Sequence, residues 1–191
     1  MSKNPGQPIS LSLSAKSSGK ALPPKGITPR PGQVVCGELD MRIGRDGVWH
    51  YNGSPIGRKE LVRLFSTVLR RDDAGDYWLI TPAEMGRIEV EDAPFLAVEL
   101  TRSGDGEAQV LTMRTNVDAM VTVDKDHPIR VDIDEDTGAP SPYLIMDGGI
   151  EARITRAVYY ELVAMGNTGE KENFGVMSSG TFFSLGKLDN A

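Results

Sequence analysis

Cysteine and histidine are almost missing from this chain. Cys36 stands alone, and His50 and His127 are the only two histidines in 191 residues. A single cysteine excludes an internal disulfide, and these three residues, none paired at chelating spacing, exclude a structural zinc site. Long apolar runs are also missing. None approaches the roughly 20 residues of a membrane helix, and the stretch from Ile9 to Leu13, interrupted by serine, is too short for the apolar region of a signal peptide. A cytoplasmic location is the expectation, with no membrane span. Acidic residues are missing from residues 1–32, which hold Lys3, Lys16, Lys20, Lys25 and Arg30 and so carry +5; from a total of −6, this leaves −11 on the rest of the chain. A body that acidic repels a phosphate backbone, so no nucleic-acid partner is expected.

Catalytic signatures are scarce. There is no G-x-S-x-G elbow, and Cys36 lies beside the leader rather than next to a base. Gly180 to Lys187 has one residue too many for a phosphate-binding loop, with Leu188 where Ser or Thr belongs. Asp132, Asp134 and Asp136 imitate the first positions of a calcium loop, but the glycine comes one place late and Tyr143 stands where a bidentate Glu is needed. His127 precedes Pro128 in a turn with no evident partner. No catalytic residue, metal or cofactor is therefore assigned.

What the chain does have is a body able to fold, with 39% hydrophobic and 25% charged residues. The Pro- and Ser-rich leader, residues 1–33, reads as flexible. Two small α+β domains follow, 34–93 and 94–188, each expected to be a bent antiparallel sheet or partial barrel with one helix. Asp46-Gly47 between two apolar runs marks a hairpin. Ile56 to Arg71 carries Leu61, Val62, Phe65, Val68 and Leu69 on one stripe and reads as the first helix. Short apolar runs separated by turn residues continue from Arg87 to Ile133, most plainly around Ser103-Gly-Asp-Gly106. Gly149 to Met165 reads as the second helix, and Phe174 to Met177 with Thr181 to Leu185 as a closing hairpin.

The same unit reads as written twice, 95 positions apart: Met41 to Val68 and a second copy from Val131 to Val163. On this alignment Arg58 and Arg153 both fall in a first helical turn, on the face that is otherwise apolar. A guanidinium there must be paired, because a bare buried charge is costly. Either it makes an internal ion pair, with Glu161, Asp92 or Glu84 as partner, or it forms a fork for a carboxylate or phosphate near a helix N-terminus. Trp49, Tyr51, Tyr77 and Trp78 are available as stacking surfaces. Arg114 and Asn116 close a strand and offer polar groups to a pocket rim. Glu161 falls among apolar neighbours and reads as desolvated. Arg156 and Tyr160 make the second copy the richer place for a ligand.

Asp46-Gly-Val-Trp-His-Tyr-Asn-Gly-Ser-Pro-Ile-Gly-Arg58, Tyr77-Trp-Leu-Ile-Thr-Pro-Ala-Glu84, Arg114-Thr-Asn-Val117, His127-Pro-Ile-Arg130, Tyr143 and Glu151-Ala-Arg-Ile-Thr-Arg156 together resemble a bacterial family of uncharacterised proteins, known as a domain of unknown function. The resemblance covers about Gly37 to Leu185. It implies a duplicated α+β core with a pleckstrin-homology-like C-terminal half, a site for a nucleotide-like ligand at the domain interface, and a part in signalling. The expected function is therefore a cytoplasmic ligand-binding or regulatory protein. Its site residues would be Trp49, Arg58, Arg114, Asn116, Tyr143, Arg153, Arg156 and Tyr160, and its partner a small anionic molecule. A protein-interaction scaffold is the alternative, and a nucleotide-processing enzyme a third.

Overall fold

The computed structural model describes residues 22–169 and 173–187. The first 21 residues of the expected leader, and the expected domain end at 188, lie outside them. The rest of the leader is tied down. The Lys25 backbone N–H donates to Asp72, the Lys25 carbonyl accepts from Asp73 N, and Pro24 is buried.

The N-terminal half runs β1 (Val34–Ile43), β2 (Trp49–Tyr51), β3 (Ser54–Pro55), α1 (Lys59–Val68), β4 (Leu69–Arg71), β5 (Tyr77–Ile80) and β6 (Glu84–Val90). The C-terminal half runs β7 (Phe95–Ser103), β8 (Val110–Thr115), β9 (Met120–Thr122), β10 (Ile129–Ile133), β11 (Pro140–Ile145), β12 (Glu151–Ile154) and α2 (Arg156–Met165). A small sheet of β13 (Asn167–Thr168), β14 (Asn173–Ser178) and β15 (Thr181–Lys187) follows, and its β14–β15 hairpin is the closing one read from the sequence.

The two large sheets have the orders β3-β2-β1-β6-β5-β4 and β10-β11-β12-β7-β8-β9. Counted from the first strand of each half, these are the same order. A three-stranded meander is followed by a second one, whose last strand returns beside the first. That return makes one parallel pair per sheet, β1 with β6 and β12 with β7, so the sheets are mixed rather than all antiparallel. The repeat is thus real in topology, but the 95-residue alignment is not. The helix lies between the third and fourth strands in the first half and after the sixth in the second.

Both helices are shorter than their periodicity predicts. The first stops at Val68, where Ser66 and Thr67 hydroxyls donate back to the carbonyls of Arg63 and Leu64. Leu69 to Arg71 then pair with β5, which buries Leu69 completely. In the second, Glu151 to Ile154 form a strand, with Ala152 and Ile154 buried on one face, and Thr155 is the extended residue that caps α2. A run that short fits a period of 2 as well as 3.6, and pairing with β7 decides it. One continuous core joins the halves, from Leu39, Ile43 and Trp49 through Phe65 and Leu79 to Met113, Leu144, Ile154 and Leu162.

Candidate functional site

The register of the second sheet sets Arg130, Tyr143 and Arg153 side by side across β10, β11 and β12. The Arg130 guanidinium lies 4.5 Å from the centre of the Tyr143 ring. Between the halves, Asp92 receives the Tyr143 hydroxyl at 2.7 Å and Arg153 Nη1 at 2.6 Å. Burial, reinforced by the hydrogen bond to Asp92, pushes the Tyr143 phenol up to about 12. Glu151, two residues before Arg153 and on the same face of its strand, accepts from Arg130 at 3.2 Å and lies 3.7 Å from Arg71. The Arg71 Nη1 also donates to the Gly149 carbonyl at 3.0 Å, and its guanidinium lies 5.8 Å from the ring centre of Tyr77, its partner across β4 and β5.

Asp92, Glu151, Arg71 and Tyr77 are walls of a cleft of about 510 Å³ built against the first sheet, to which the second sheet contributes Glu151. Its remaining charges are Glu38, Asp76, Glu89 and Arg87, and Arg87 bridges Glu38 and Asp76. Five carboxylates thus face two guanidiniums. Among the donors of the cleft, Arg71 Nε is buried without a hydrogen-bond partner among the described residues, as are Trp49 Nε1 and Thr181 Oγ1 elsewhere.

Two of the eight expected site residues, Tyr143 and Arg153, meet here through Asp92. Arg153 forms the internal ion pair, with Asp92 rather than Glu161 or Glu84. The other six lie elsewhere. Trp49 is only 2% exposed and stacks on Phe65, its ring unavailable to a ligand. Arg58 is the exposed N-cap of α1, not an inward residue, and Arg153 is on a strand, so the shared first-turn arginine disappears. Arg114 pairs with Glu99 and Asp118. Asn116 joins the halves structurally, its Oδ1 accepting from Leu96 N and its Nδ2 donating to the Gly47 carbonyl. Arg156 and Tyr160 are exposed on α2 and touch each other. Glu161 is exposed as well, so it is not desolvated. Among the described residues, no three His, Cys, Asp or Glu side chains are grouped to hold a metal, and no helix is long and apolar enough to cross a membrane.

Family models match both halves of the chain: the N-terminal domain of unknown function DUF1285 over residues 31–93, and the C-terminal domain of the protein of unknown function DUF1285 over residues 94–185. The chain belongs to the DUF1285 family. It is similar to the crystal structure of a DUF1285 family protein from Silicibacter pomeroyi, with 41% identity and a TM-score of 0.77 over 87% of this chain and 92% of that one. A DUF1285 family protein from Shewanella baltica is similar at 29% identity and a TM-score of 0.53, over 65% of this chain and 91% of that one. No curated protein matches the chain.

The DUF1285 cleft draws on residues the sequence left unassigned. The periodicity places Arg71 at the polar end of one helix and Glu151 at the start of another, and Asp92 enters only as a candidate partner for an arginine. One signal was available. Arg153 alternates with the buried Ala152 and Ile154, and a strand reading of that run would have set it beside Tyr143.

Proposed function

We propose that this protein is a cytoplasmic regulatory module that senses a small ligand in the cleft on its first sheet, where Asp92 and Glu151 close one side. The observation that carries the reading is the buried, unpartnered Nε of Arg71 in the wall of that cleft. An orphaned guanidinium donor is costly, and an anionic oxygen is its natural complement. Of the five carboxylates, Glu38, Asp76, Asp92 and Glu151 already accept from protein donors, which leaves Glu89 to take a hydroxyl or amino donor from the same ligand. A nucleotide-like molecule meets both demands, with phosphate at Arg71 and a ribose or base donor toward Glu89. The cleft is within the size range of small-molecule sites, ~300–1,000 Å³. In this reading the C-terminal sheet with α2 is the pleckstrin-homology-like half, and ligand occupancy is the signal passed on to other components.

Calorimetric titration of inorganic phosphate, AMP and ATP is the test. Wild type is expected to bind a nucleotide at one site, with Arg71→Met weakening it about tenfold or more, the loss of one charge-assisted contact. Arg153→Ala is expected to weaken it through Asp92, which keeps Tyr143 but loses its cationic partner. Binding by Arg71→Met at wild-type affinity, or no binding by the wild type, would overturn the reading.

A further inference from the structure

A second cavity, of about 710 Å³, adjoins the cleft. Its floor is the core itself, where Leu69, Phe95, Val121 and Ile150 are buried, and its mouth carries Met120, which is 59% exposed. The cavity opens to solvent through this mouth, and the surface it presents is more apolar than polar. The polar rim is self-satisfied. Arg70 donates to the carbonyls of Thr67 and Leu69. His127, which the sequence left without a partner, is held by Asp124 at 3.1 Å and Asp147 at 3.2 Å. Arg70 and His127 are thus both engaged within the rim, and neither is left to hold an anion.

The two cavities share a partition. Leu69 and Arg70 line the second cavity, and the next residue, Arg71, lines the cleft. Across from them, Asp147, Gly148 and Ile150 line the cavity, and Glu151 lines the cleft. The Arg71–Gly149 hydrogen bond crosses this wall. Gly148 and Gly149 have φ of 68° and 70°, a left-handed pair that glycine adopts without strain.

We infer that this second cavity binds a small, predominantly apolar molecule without negative charge, and that its occupancy moves the 147–151 segment and thereby adjusts the cleft. The occupant presses on Ile150 and the 147–149 turn. Gly149 and Glu151 carry that displacement to Arg71. The regulatory half rests on the cleft being the ligand site proposed above, whereas the binding half stands independently.

Octanol, octylammonium and octanoate share one tail and differ in charge, and they are the probes. With methionine methyls labelled for NMR, octanol and octylammonium are expected to shift Met120 and Met146 saturably and leave Met41, Met85 and Met113 in place. Octanoate should bind about tenfold more weakly. Ala119→Phe, at a partly buried position in the cavity wall, should abolish the shifts while its remaining methyl spectrum stays native. Uniform shifts of all methyls, equal affinity for octanoate, or unchanged binding by Ala119→Phe would overturn the site. The Arg71 Nε resonance should move with the same midpoint as Met120. A stationary Arg71 would overturn the coupling and keep the site. Failure of nucleotide binding with intact octanol shifts would sink the cleft reading alone.

Discussion

Asp72 is a buried carboxylate that holds together a stretch of chain spanning 54 positions. Its oxygens accept from the backbone N–H groups of Lys25, Ala74 and Asp76 and from Trp78 Nε1. Burial alone would raise its pKa, but these donors outweigh it and hold the group below the ordinary aspartate value. Stability from Asp72 is therefore complete above about pH 4 and is lost as pH falls through its depressed pKa. Asp72→Ala leaves four donors without their acceptor, and denaturant titration should show a loss of about 3 kcal/mol. Tyr143 has the opposite sign. Its neutral phenol is favoured, so its contribution is complete below about pH 10 and is lost as pH rises toward about 12. Alkaline unfolding of Tyr143→Phe should lack that part of the fall, and identical pH profiles for the two proteins would refute the assignment.

At the scale of elements, one glycine and one histidine hold neighbouring segments close. Gly86 lies in β6 against β1, and a Cβ there would come within 2.5 Å of the buried Leu39 side chain. Gly86→Ala should cost about 2 kcal/mol by overpacking, measured by thermal unfolding. The His127 bracket ties the loop before β10 to the turn before β12. Burial works against its protonation, but the hydrogen bonds to Asp147 and Asp124 prevail and raise its pKa. Its stabilising effect is thus present below about pH 6.5 and lost as pH rises through the raised value, a drift that His127→Gln should abolish. The strands were largely legible in sequence, because Phe95 to Ser103 and Ile129 to Ile133 alternate apolar residues between turn signals. Leu69 to Arg71 and Glu151 to Ile154 were not. Each is a three- or four-residue strand abutting a helix, too short for its period to show, and fixed by partners far along the chain. Arg71 and Glu151, two of the charged walls of the cleft, lie on these two segments, which is why the site was harder to read than the fold.

For the whole molecule, the halves are matched in strand order but do not stand apart. The core is continuous across them, and Arg71–Gly149, Arg63–Asp118 and Asn116–Gly47 cross between them. Scanning calorimetry should therefore give one transition with equal calorimetric and van't Hoff enthalpies. Two resolved transitions would mean the halves are independent. Asn116→Ala should lower that single midpoint without splitting it.

The three residues of β4 give this arrangement an unusual tolerance. Neighbouring strand residues face opposite ways, so a slip of one position exchanges their surroundings. In most strands this would replace a functional group with something inert. Here two arginines are consecutive, so a shifted register would still deliver a guanidinium to the cleft, and the loss would fall on Leu69, drawn out of the core. Errors of pairing in this segment would be felt first as instability and only afterwards as a change in chemistry.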